Sequence, residues 1–353
     1  RWFDPTANRI PAIQQDAKTI AMARTEADRA TARPRVSAII PVYNGERTIA
    51  RAVASALEQD CGPIEVVVAD DGSTDSTALE LAQFGNAIRV LRLPHRGPAS
   101  ARNAAVAASH GEYLAFLDAD DVWMPSKVRM LEAELDADPS IQLAFSDVIP
   151  IDDDGEPLAA TFVPPQCAHA PAIEEMLARW WPILPSATMM RREAFDAIGG
   201  FDSQFDRPGY EDPLLWMLAR KRGAFAYVGR PLVFYRETPF LERMEKYARG
   251  FALFGRRVRA HFGEAGEELR RELVAAHVSA LGHEGIMAMA YRDMRRARRA
   301  FRCALRYAPL NGRSAARLTR TYLPAAMAAA LSGDGHRSAY AAAPRARDFQ
   351  AEG

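Results

Sequence analysis

Cysteine is scarce: three residues in 353, Cys61, Cys167 and Cys303, lie far apart, with no CxxC pair and no histidine at ligand spacing. That excludes a disulfide framework and a thiolate zinc site, and it fits reduced thiols in a cytoplasmic setting. Net charge is absent as well, since 45 basic side chains face 45 acidic ones. A general nucleic-acid binder carries a basic excess, so no nucleic-acid partner is expected. No apolar run approaches the roughly 18 to 20 residues of a membrane-crossing helix, and the stretch 325–331 is far too short. Two glycine motifs are missing too. There is no Gly-Lys-Ser/Thr of a P-loop, and no GxGxxG follows the first apolar run, so neither an ATPase nor a dinucleotide oxidoreductase is supported.

What is present is a repeated texture. Short apolar runs at 36–43, 64–69, 88–93, 113–117 and 141–148 read as strands, and helical periodicity fills 46–58 and 76–83, with a helix entered from the loop at 97. Such alternation predicts an α/β fold with a mostly parallel sheet flanked by helices. In such sheets ligands bind at the carboxyl ends of the strands. Three polar clusters, 41–45, 70–75 and 118–121, fall at those ends.

Each cluster admits a chemical and a plainer account. The run Tyr113-Leu114-Ala115-Phe116-Leu117 stops at Asp118, Asp120 and Asp121. Acids at the end of a core strand call for a cation, and a hard ion such as Mg2+ or Mn2+ takes one or two carboxylates and completes its shell with water and phosphate. The plainer account has them capping the helix that begins near Ser126. In 70–75 the Asp, Gly, Ser and Thr suit a tight turn and N-cap, or Asp71 accepts a hydrogen from a base. Its Gly comes third and no bidentate Glu follows, so it is not an EF-hand loop. Tyr43 either stacks on that base or packs. In 95–103, His95, Arg96 and Gly97 precede a helix start suited to a phosphate.

Five blocks then carry a resemblance: 36–45 (VSAIIPVYNG), 70–77 (DDGSTDST), 97–108 (GPASARNAAVAA), 111–121 (GEYLAFLDADD) and 199–212 (GGFDSQFDRPGYED). Together, and in this order, they resemble the family-2 glycosyltransferases over roughly residues 35–240. The resemblance implies a GT-A, Rossmann-like fold and metal-dependent transfer of a sugar from a nucleotide donor with inversion. By position it implies Pro41, Tyr43 and Asp71 as the nucleoside pocket, Arg102 near the donor, Asp118 toward the ribose or the metal, and Asp120 as direct metal ligand. Inversion needs a base for the acceptor hydroxyl; the resemblance assigns that role to Asp212, with Glu211 beside it. The plainer account of this pair is first-turn acids favoured by the helix dipole.

Processive relatives carry Gln-x-x-Arg-Trp after the base and several membrane helices. Here Arg179-Trp180 precedes the acidic pair and Met176 stands where the Gln would be, so a single addition is expected. The expected donor is a nucleotide-sugar, a UDP-sugar by the family's habit. The expected acceptor is a glycan or a lipid-linked glycan of cell-surface polysaccharide synthesis. Tyr235-Arg236-Glu237-Thr238 lacks the His that many relatives place after Tyr-Arg. Trp180, Trp181, Pro182 and Met189 stand where the acceptor half begins, either as sugar-stacking aromatics or as core. A nucleotidyltransferase of related fold, which would have no need of Glu211-Asp212, and a non-catalytic scaffold are the alternatives.

The expected division is an N-terminal helical arm (1–34), the catalytic domain (35–240), a helical appendage (241–331) and a disordered tail (332–353). In the appendage, Gly285, Ala297, Phe301, Ala304 and Pro309 fit one tetratricopeptide-like helix pair. Arg292, Arg295, Arg296, Arg298, Arg299, Arg302 and Arg306 suggest peripheral contact with anionic lipid at the inner face of the cell membrane.

Overall fold

The computed structural model describes residues 34–178, 181–206 and 209–322. The expected arm at 1–33, the tail at 332–353 and the Arg179-Trp180 pair lie outside them. The chain divides into two compact units after Thr238.

In the first unit eight strands form one sheet: β1 (Val36–Val42), β2 (Ile64–Asp70), β3 (Arg89–Arg92), β4 (Tyr113–Phe116), β5 (Val122–Trp123), β6 (Ile141–Ile151), β7 (Thr188–Arg191) and β8 (Ala224–Arg236). Their spatial order is β3-β2-β1-β4-β7-β6-β8-β5. The side from β3 to β4 is parallel throughout, with Val36 opposite both Ile64 and Tyr113. Beyond it β7 enters antiparallel to β4 and β6, while β6 and β8 run parallel. The mixed half begins at β7.

Among the described residues this unit has seven α-helices: α1 (Ile49–Leu57), α2 (Thr77–Ala82), α3 (Pro98–Ala107), α4 (Lys127–Ala137), α5 (Ile173–Ala178), α6 (Arg192–Ile198) and α7 (Glu211–Arg222). Strand alternation sorts them to the two faces. Ala38 and Ile40 of β1 and Tyr113 and Ala115 of β4 pack with Ala52 and Val53 of α1 and Leu131 of α4. Phe116 points the other way, against Phe195, Phe201 and Trp216. α3 lies against β1 and β2. The carboxyl ends of β1, β2 and β4 thus open between α1 and α3.

The second unit, from Pro239, contains α8 (Phe240–Ala248), α9 (Phe251–Ala290), α10 (Met294–Tyr307) and α11 (Gly312–Arg320). α9 is kinked at Gly263, where φ is 63°. Gly285 lies flat on the Phe301 ring, and a Cβ there would sit 2.5 Å from it. That is the small-residue contact expected of a helix pair. Four of the seven arginines are engaged inside the unit. Arg296 pairs with Glu284, Arg299 with Glu245 at 2.9 Å, Arg298 with the Thr321 carbonyl at 2.7 Å, and Arg302 with the Tyr322 hydroxyl. By length and composition α9 alone among the described helices could cross a membrane. His277, His283 and Glu284 interrupt its apolar residues, which hides it in the sequence, and Leu273, Leu281 and Ala288 are buried within the protein.

Candidate active site

The loop after β2 is tied to the end of β1 by its own polar residues. Asn44, at φ 52°, donates its N–H to Ser73 Oγ, and its side-chain oxygen accepts from Thr74 N–H. Asp70 Oδ1 accepts from Ser73 N–H, and Asp75 Oδ1 from Thr77 N–H and hydroxyl. Asp70 and Asp75 are therefore spent on the turn. Asp71 is buried, yet its carboxylate is turned toward the loop after β3: Oδ1 accepts from Arg96 N–H at 2.9 Å and Oδ2 lies 2.9 Å from His95 Nδ1. The His95 ring also stacks on Tyr43, centroids 4.0 Å apart. Tyr43, half exposed, and His95 thus form one plate beside Asp71. Pro41 is buried at the end of β1, opposite Ala69.

The acids after β4 occupy a turn closed by the Asp121 N–H to Asp118 carbonyl bond, 3.1 Å. Ser186, from a 3-10 turn ahead of β7, holds this turn from beneath. Its Oγ accepts from Asp118 N–H at 2.9 Å and donates to Asp121 Oδ2 at 2.5 Å. Asp121 Oδ1 accepts from Arg236 N–H at 2.8 Å. Burial, then the charges of Asp120 and Asp118, push the Asp121 carboxyl well above the carboxylate range. Asp118 and Asp120 are partly exposed.

Arg102 joins this turn to the acidic pair. It is buried, donating from one guanidinium nitrogen to Asp118 Oδ1 at 2.6 Å and from another to Glu211 Oε1 at 3.0 Å. Burial alone would lower its pKa; Asp118 and Glu211 outweigh that and raise it. The expected neighbour of the donor is thus turned to two carboxylates and reaches the site through them.

The start of α3 differs from expectation. Its phosphate-like place is taken by Asp206, which accepts from Ser100 N–H at 2.7 Å and from the Ser100 hydroxyl. A Cβ on Gly97 would lie 2.4 Å from the Asp206 carbonyl oxygen, so the close approach requires glycine. Asn103 completes the attachment by exchanging hydrogen bonds with the Phe201 backbone, 2.8 and 2.9 Å. The sequence was read for an external anion because nothing local marks Asp206 as the partner.

From Asp206 the chain reaches α7 through Gly209 and Tyr210, both left-handed at φ 78° and 79°. A buried Tyr in that region is strained, a condition common at functional sites. The bend places Glu211 and Asp212 in the first turn of α7, where the helix dipole favours acids. Burial, then the Glu211 charge, push the Asp212 carboxyl up to about 8 against the pull of Arg102. The turn after β4, Arg102 and the acidic pair thereby form one charged cluster.

This curled α/β sheet with flanking helices is a GT-A fold. It superposes on TarS of S. aureus in complex with UDP-GlcNAc with a TM-score of 0.55 at 19% identity, covering 82% of this chain and 89% of that one. The mannosyltransferase PcManGT of Pyrobaculum calidifontis, in complex with GDP-Man and Mn2+, gives a TM-score of 0.51 at 19% identity over 92% of this chain and 95% of that one. Residues 37–199 match the model of glycosyl transferase family 2, and this part of the chain is a family-2 glycosyltransferase domain. Among curated relatives, the Escherichia coli UDP-Glc:alpha-D-GlcNAc-diphosphoundecaprenol beta-1,3-glucosyltransferase WfgD is 39% identical over 97 residues, 27% of this chain and 38% of that protein. The chain spans 35% to 54% of the lengths of the first three curated relatives.

Proposed function

We propose that the chain is an inverting glycosyltransferase that moves one sugar from a nucleotide-sugar, a UDP-sugar by its likeness to UDP-sugar enzymes, to a hydroxyl of a glycan or lipid-linked acceptor in polysaccharide synthesis. The carrying observation is Arg102. One buried guanidinium spans Asp118 and Glu211, 93 residues apart in sequence, so the donor-side acids and the acidic pair serve one reaction center. Two acid clusters with independent structural duties would have no need of a shared cation.

In this reading Tyr43, His95 and Asp71 receive the base, with free lone pairs of the Asp71 carboxylate accepting its N–H. Asp118 and Asp120 fit Mn2+ or Mg2+ as a site of one or two carboxylates. Such an ion takes one or two protein carboxylates and completes its shell with phosphate and water. When bound, such an ion neutralises the diphosphate as it leaves. Asp212 takes the acceptor hydroxyl's proton as that oxygen attacks the anomeric carbon from the face opposite the diphosphate. Glu211 holds Arg102 and stands next to the acceptor.

The test is a thermal-shift panel of UDP, GDP, CDP, dTDP and ADP with Mn2+, Mg2+ or EDTA, followed by nucleotide-sugars of the base that binds. A metal-dependent rise in Tm with one base is expected, by mass action. No shift with any nucleotide would overturn the reading.

A further inference from the structure

Two guanidiniums beside the turn after β4, those of Arg51 and Arg236, carry buried Nε donors that meet no acceptor. α1 is fixed against β5 by Ser55, whose Oγ accepts from Trp123 N–H at 3.1 Å. Arg51 precedes Ser55 by one turn on the same face of α1. At its entry α1 abuts the same turn, since a Cβ on Gly45 would lie 3.8 Å from the Ala119 Cβ. α1 and the segment 119–123 therefore run side by side in one direction, which sets Arg51 level with Asp120 and Asp121. β5 pairs antiparallel with β8, Val122 opposite Phe234, so the residues of β8 level with Asp121 are Tyr235 and Arg236. Arg236 N–H donates to Asp121 there.

The donors of the two guanidiniums are not all met. Arg236 gives one nitrogen to Asp153 at 2.7 Å, but the Asp153 side chain is 85% exposed, a weak partner in solvent. Its Nε is buried and meets no acceptor, and the same holds for Arg51 Nε. Arg51 forms no ion pair among the described residues. Burial, then the Arg236 charge, hold the Arg51 guanidinium below its ordinary value. Half-buried like charges with unmet donors are costly unless an anion joins them.

We propose that Arg51 and Arg236 form a clamp for a phosphate-class anion beside the Asp118–Asp121 turn. Planar guanidinium forks match phosphate oxygens in pairs, and the anion would satisfy both buried Nε donors. The anion's source rests on the function proposed above: the diphosphate of the donor, or a phosphate carried by a lipid-linked acceptor. Its class rests on the two arginines alone.

The experiment is calorimetric titration of inorganic pyrophosphate, with Mg2+, into the full chain and its R51Q, R51K and R236Q variants. R51Q and R236Q are expected to weaken binding about tenfold or more, the scale of one charged hydrogen bond, and R51K by less. Without ligand, R51Q should melt no lower than the parent because a repulsion is removed, so weaker binding cannot be laid to unfolding. Pyrophosphate binding within twofold of the parent in both Gln variants, or none in the parent, overturns the clamp. Displacement of pyrophosphate by UDP assigns it to the donor. UDP binding without displacement, together with displacement by dodecyl phosphate, assigns it to the acceptor. Pyrophosphate bound without any binding of UDP keeps the clamp and removes the UDP-sugar reading.

Discussion

Asp212 and Glu211 differ in what holds them. Glu211 is paired with Arg102, whereas Asp212 lies beside Glu211 with its carboxyl at about 8. Replacing Asp212 with Asn should lower transfer about 10²- to 10⁴-fold, the span of general base catalysis, with UDP binding kept; unchanged turnover would remove Asp212 from the role. Stability gives a second readout. A carboxyl raised in the folded state and ordinary when unfolded keeps its proton on folding, so the native state loses stability as pH rises from about 4 to about 8. Metal-free Asp212→Asn should therefore gain in Tm relative to the parent across that interval, with the difference flat below it. Asp120→Ala should abolish the metal-dependent part of the UDP shift while leaving the metal-free Tm close to the parent's. These residues were legible because acids stood where apolar runs end. The pairings of His95, Ser186 and Asp206 were not, since their partners lie 24, 68 and 106 residues away and no local pattern announces them.

At the scale of elements, α3 makes the joint. Its Ser100, Arg102 and Asn103 reach Asp206, Asp118 with Glu211, and Phe201 in turn. Ser100→Ala removes one of the two bonds to Asp206 and should lower stability by about 1 kcal/mol, like loss of an N-cap, measured by urea unfolding. Transfer should fall further than UDP binding, because Asp206 sets the approach to Asp212; equal losses of both would refute the joint. α1 to α4, α7 and β1 to β4 were readable from uninterrupted apolar runs, clear periodicity or capping residues, whereas the short α5 and α6 were not. β7 is four residues, β5 two, and β8 carries Gly229 and Pro231 with shifts in register against β6, so no run or alternation marked them. The same gap hid the mixed half of the sheet.

For the molecule as a whole, the second unit carries its own acid sensitivity. His277 is half-buried between the Phe251 and Tyr307 rings, and burial holds it down to about 4. A histidine kept neutral when folded costs stability as pH falls from its unfolded value near 6.5 toward 4. Amide exchange in α9 and α10 should quicken over that interval, and His277→Phe should abolish the change. Arg296, Arg299 and Arg302 are exposed but tied to partners within the unit. Among the described residues only Arg292, Arg295 and Arg306 of the seven are both exposed and outside these pairings, so the lipid contact read from seven arginines rests on fewer free cations. Failure to sediment with anionic vesicles at low salt would dismiss it. The bond from Ser100 to Asp206 has a consequence for the newly made chain. As α3 leaves the ribosome, its cap lies 106 residues upstream of a partner not yet synthesised. Such distant closure comes late, so the parallel half of the sheet must gather around a helix with a bare end, and the charged cluster that joins the turn after β4 to α7 is assembled last.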